Sequence, residues 1–153
     1  MTKLKSLLVL PPVLLSFSLM AGTVQAQSYL GDFCWFAEAE GDTGGQPDIV
    51  KLAIQLIGEE NLSVNGFVIA TEETTDSPQI LYGSGTIQGD QVIIGLTGNI
   101  NNVDAAGSTA ISVHLSLATV SGPFTVTGNV LNKETEEIVS FSQQGTLTLT
   151  SCP

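Results

Sequence analysis

The chain has no arginine, and beyond its first few residues only two lysines, Lys51 and Lys133. It has one histidine (His114), one tryptophan (Trp35) and two cysteines (Cys34 and Cys152). Each shortage excludes something. Phosphate backbones are held by Lys and Arg, so nucleic acid is not expected as a partner, nor is an anionic membrane. One histidine and two distant cysteines give no zinc-ligand spacing, so no metal or other cofactor is expected. A triad needs base, nucleophile and orienting group together. His114 lies between Ser112 and Ser116 in an alternating segment that turns it toward solvent. The chain does not read as an enzyme.

Long apolar runs are equally scarce. The exception spans Leu7 to Met20, is broken by Pro11 and Pro12, follows Lys3 and Lys5, and precedes Val24-Gln25-Ala26. A charged start, a short apolar run and a small-x-small site make a cleavable signal peptide. A membrane helix needs about 20 apolar residues, and a lipid anchor needs a cysteine directly after the run. Neither is present. Residues 1–26 therefore read as leader and 27–153 as one domain, periplasmic or secreted, without membrane insertion. Losing Lys3 and Lys5 with the leader takes the formal charge from −11 to −13, which favours solubility. The acids cluster in expected loops: Asp42 with Asp48, Glu59 with Glu60, Glu72 and Glu73 with Asp76, and Glu134 with Glu136 and Glu137. None has the alternating Asp/Asn pattern of an EF-hand, so they read as solvated turns.

What the chain does have is alternation. Val, Ile, Leu and Thr recur with period two, punctuated by Gly, Asn and Asp, which argues for strands and hairpins. Strands are expected near 32–39, 49–57, 62–70, 79–88, 91–99, 108–117, 123–131 and 137–151. Gly89-Asp90 makes a two-residue hairpin turn. Pairing outward from it sets Ile87 opposite Val92, Gly85 opposite Ile94 and Gly83 opposite Leu96 on one face. Gln88 with Gln91, Thr86 with Ile93 and Tyr82 with Thr97 form the other. Two segments leave alternatives. Ile49 to Ile57 also fits a helix with Asp48 as N-cap and Gly58 as stop, and Asn65-Gly66 is a turn signal inside a strand.

In an oxidising compartment Cys34 and Cys152 are expected to pair. They fall in the first strand and just after the last. In an even-stranded up-and-down barrel those strands are antiparallel neighbours, so the bond would close the seam. Parity puts both thiols out of phase with Trp35 and Leu149, on the outer wall. The expected fold is all-β, a single eight-stranded antiparallel barrel; a β-sandwich is the alternative. An outer-membrane barrel wants an apolar outer band, whereas the outer positions here are Thr, Ser and Gln.

Gly31-Asp32-Phe33-Cys34-Trp35, opening the first strand and followed by seven strand-like runs, resembles the start of lipocalin- and avidin-type barrels. The resemblance implies a calycin-like architecture and carries over no ligand. Trp35 stands four residues after its glycine rather than two, and the arginine and extra tryptophans of those families are missing.

Eight strands enclose either a packed core or room for one small ligand. Gly66, Gly83, Gly85, Gly98, Gly128 and Gly145 fall at inward positions. They let strands coil tightly, or they leave space. On the second reading the cavity is lined by Trp35, Gly83, Gly85, Ile94, Leu96, Val113, Phe124, Gly128 and Phe141. Two functions stay open. One is a non-enzymatic barrel binding a small hydrophobic ligand. The other is a packed protein-interaction or structural module, such as an exported inhibitor, adhesin-like domain or envelope component, with a protein partner.

Overall fold

A computed structural model describes residues 26–41, 47–69, 79–101 and 104–153. The expected leader, apart from Ala26, lies outside these residues, as do Asp42 and the cluster of Glu72, Glu73 and Asp76. Eight strands follow one another: β1 (Gln27–Ala39), β2 (Asp48–Ile57), β3 (Asn61–Ile69), β4 (Gln79–Gln88), β5 (Gln91–Asn101), β6 (Ala105–Ser116), β7 (Gly122–Asn132) and β8 (Ile138–Thr150). Each pairs antiparallel with the next, and β8 pairs with β1, so the sheet closes into an up-and-down barrel. Closure rules out the sandwich.

Both ambiguous segments are strands. Ile49 to Ile57 pairs with β1 on one side and β3 on the other, which a helix could not do. Asn65 and Gly66 sit mid-strand opposite Ala53 and Leu52. The β4–β5 hairpin has the expected register throughout, from Gln88 opposite Gln91 to Tyr82 opposite Thr97. Gly89 turns it at φ 63°, a conformation that suits a residue without Cβ.

The seam is short and reinforced. β1 and β8 share only the register from Cys34 opposite Thr150 to Ala39 opposite Gly145. One further bond, from the Glu40 amide to the Gln144 carbonyl at 2.8 Å, extends it upward. At the lower end the Cys34–Cys152 disulfide takes over, with Cα atoms 5.1 Å apart. Outer-wall parity does not leave Cys34 exposed: it is fully buried at the seam, while Cys152 is exposed. Nearby on the outer wall, Tyr29 donates its hydroxyl to Asp32, and Lys51 Nζ lies 3.3 Å from the same carboxylate. The bond from Tyr29, then that from Lys51, holds the Asp32 carboxyl below its ordinary pKa. The same bond to Asp32 raises that of Tyr29.

One end of the barrel is sealed. Its core holds Trp35, Ile54, Leu62, Val64, Val92, Ile94 and Leu115. Short turns lock together beneath it: the Leu117 amide bonds to Asp90 O at 2.8 Å and the Ile87 amide to Glu60 O at 2.8 Å. Trp35 supplies the floor's central bond, donating Nε1–H to the Val120 carbonyl at 2.6 Å. Val120 holds φ at 51°, a strained setting for a β-branched residue, and its side chain packs on the core.

The inward glycines mark close strand approach. A Cβ on Gly83 would stand 2.0 Å from Gly95 O, and one on Gly85 would stand 2.7 Å from Ile93 O. Gly95, on the outer wall of the same hairpin, would place its Cβ in open space. Gly83→Ala should therefore destabilise by several kcal/mol, because backbone must move, a strain on the scale of overpacking or more (about 1–3 kcal/mol). Gly95→Ala should be neutral or stabilise by about 0.5–1 kcal/mol. Urea melts of the two variants check this. Equal losses would show that space is not what selects glycine at position 83.

Candidate functional site: a cavity at the open end

The opposite end of the barrel is hollow. A cavity of about 480 Å³ lies at the end where β1, β3, β5 and β7 finish and β2, β4, β6 and β8 begin. Its base is Leu52, Leu81, Leu96, Val113 and Leu147, all buried. These residues separate it from the Trp35 core. Above them the wall is Ala37, Val50, Val68, Ile111, Phe124 and Val126, and the rim carries Ala39, Pro47, Asp48, Ile100 and Phe141.

Two phenylalanines shape one side by lying across glycines on the neighbouring strand. Phe124 pairs with Gly145 and Phe141 with Gly128. A Cβ on Gly145 would come within 2.6 Å of the Phe124 ring, and one on Gly128 within 2.7 Å of the Phe141 ring. Each ring occupies the volume its partner lacks, an aromatic cover over a glycine gap.

Three polar side chains interrupt the apolar wall: Gln79, Thr109 and Gln143. Gln79 Nε2 donates to Thr109 Oγ1 at 2.8 Å, and Thr109 Oγ1 faces the Gly98 carbonyl at 3.4 Å. Gly98 makes the seat, since a Cβ there would stand 2.6 Å from Gln79 Nε2. Thr109 is buried, and its hydroxyl is satisfied by these two contacts, as a buried polar group must be.

Of the nine residues expected to line a cavity, Leu96, Val113, Phe124 and Phe141 do so. Trp35 and Ile94 are fully buried in the sealed core beneath, and Gly83, Gly85 and Gly128 belong to the wall where neighbouring strands or rings press close. Sequence reasoning passed over Gln79, Thr109, Gln143 and Asp48. A signal existed for all four: each has inward parity, Asp48 in phase with Val50 and Leu52, and a polar residue on an inward stripe is informative.

Elsewhere, His114 is exposed on the outer wall, its Nε2 3.5 Å from Ser112 Oγ. Among the described residues no group of three or more His, Cys, Asp or Glu could hold a metal ion, and no helix is long and apolar enough to cross a membrane. Comparison with known proteins finds no matching family model, no matching curated protein and no matching solved structure.

Proposed function

We propose that this is an exported, non-enzymatic binding protein that takes a small apolar ligand into the open end of its barrel. The observation that carries the reading is the cavity itself: about 480 Å³ of space with a mostly aliphatic and aromatic lining. Ligand sites are typically about 300–1,000 Å³, apolar, with a few placed polar groups. A packed scaffold would fill such a space, because each unfilled volume in a core forfeits dispersion contacts. The likeness to lipocalin- and avidin-type barrels adds an architecture with the same habit of hollow interiors, and nothing about the ligand.

An environment-sensitive hydrophobic dye should bind the protein and brighten. Val126→Trp should weaken that binding at least about tenfold, since Val126 is half-buried in the cavity wall and the larger ring would occupy ligand space at little packing cost. Circular dichroism confirms that the variant folds. Dye binding unchanged by Val126→Trp would mean that the dye sits elsewhere and would remove this reading.

A further inference from the structure

The cavity is built for one charge class of ligand. We infer that it takes a neutral molecule, an apolar body with a hydroxyl or primary amide head, and that it rejects carboxylates. This rests on the proposal that the cavity binds an apolar ligand, and it specifies which.

The first observation is the placement of every cation. Lys51 is on the outer wall, paired with Asp32. Lys133 is at the open end, in the turn between β7 and β8, but its Nζ is turned to Asn101 Oδ1 at 3.3 Å and it is not among the lining residues. His114 is on the outer wall near the sealed end. The segments 42–46, 70–78 and 102–103, which connect strands at the open end, contain no lysine, arginine or histidine. No placement of those segments could bring a counter-ion to the cavity. Lys3 and Lys5 fall in the expected leader.

The second observation is the sign of what is there. Asp48 stands at the rim, and all 15 acids against four lysines give the chain a formal charge of −11. A carboxylate entering an apolar pocket loses its hydration, and the cost is recovered only by pairing and hydrogen bonding. Here the field opposes it as well.

The third observation is the polar relay. Gln79 gives one amide proton to Thr109, whose hydroxyl is directed at Gly98 O. That arrangement leaves the second Gln79 N–H and its Oε1 without a partner among the described residues. An amide with one free donor and one free acceptor matches a neutral head that both donates and accepts, such as an alcohol or a primary amide. Gln143 offers the same pair of functions from β8. A site with hydrogen-bonding groups of this kind discriminates sharply against ligands that cannot satisfy them.

The test is a matched series on the intact protein: decanol, decanamide and decanoic acid, measured by dye displacement and calorimetry at about pH 8, where a carboxylic acid is ionised. The alcohol and the amide should bind at least about tenfold more tightly than decanoate. Gln79→Lys should reverse that order, because it puts an ammonium where the neutral amide stood. Gln79→Leu should cost the alcohol and the amide their advantage over decanoate, with circular dichroism confirming that the variant folds. Decanoate binding as tightly as decanol to the unaltered protein would overturn the inference and leave the apolar-ligand reading standing. So would an unchanged preference in a folded Gln79→Lys variant. If none of the three ligands bound and the dye was also silent, both proposals would fall.

Discussion

Replacing Cys34 and Cys152 together with alanine should lower the unfolding free energy by several kcal/mol and leave the β-rich circular dichroism unchanged. The bond spans 118 residues of sequence, so without it the unfolded chain regains the freedom of a very long loop. The chain-entropy relation puts that at about 4–5 kcal/mol, with measured values often smaller. A typical domain has about 5–15 kcal/mol in total, so the variant should melt far lower and remain folded at room temperature. Alanine is the right replacement, because Cys34 is fully buried and serine there would add a hydroxyl needing a partner. The loss should appear mainly as earlier opening of the seam, where β1 and β8 share their short register. Hydrogen exchange should show the β1 and β8 amides losing protection before those of the β4–β5 hairpin. Ligand or dye binding should survive, since the bond lies on the outer wall toward the sealed end. A double variant as stable as the parent would show that the seam closes without help from the bond.

Trp35→Ala should be the most damaging single truncation. The ring is fully buried, stacks beside Phe33 with centroids 6.0 Å apart, and donates to the Val120 carbonyl. Truncating a buried large aromatic costs about 3–5 kcal/mol from lost transfer energy and the cavity left behind. The floor turn then loses a bond that helps hold Val120 in its strained conformation. Trp35→Phe separates the two contributions. It keeps most of the packing and removes the N–H to the half-buried Val120, so it should cost about 0.5–1.5 kcal/mol, the net contribution of a typical hydrogen bond, plus a smaller packing loss. Denaturant melts of both variants measure this. A Trp35→Phe loss equal to that of Trp35→Ala would mean that the bond to Val120 dominates; no loss in either would mean that Trp35 is not what closes the floor.

Much of this molecule is written locally. Strand limits follow from alternation and turn chemistry, which involve residues two to four apart, and they agree with the observed elements to within three residues except at the start of β1, which begins at Gln27, five residues before the expected 32. The β4–β5 register was readable for the same reason: a two-residue turn at Gly89-Asp90 leaves one way to pair the strands that keeps every apolar residue on one face. The pairing of Cys34 with Cys152 followed from parity and strand number. Ile49 to Ile57 was different. Its pattern satisfied both periods, and only ladders with β1 and β3 decided for strand. Asn65-Gly66 carried a turn signal overruled by the wall around it, because β2 approaches Gly66 too closely for a side chain.

Parity alone determined which side of the wall each residue faces. It could not assign height along the barrel axis, because height depends on the stagger of strands that are distant in sequence. That is why Trp35 and Ile94 share the inward face with Leu96 and Phe124 yet lie in a sealed core rather than a cavity. It is also why Cys34 has an outer-wall position and no exposure. The sequence by itself set the alternation, the turns, the single disulfide and the scarcity of cations, with four lysines, one histidine and no arginine, all of which are properties of composition and near neighbours. The tertiary structure alone decided where the barrel is filled and where it is empty, and so brought Gln79, Thr109 and Gly98 together from three strands, because packing depends on how strands far apart in the chain meet.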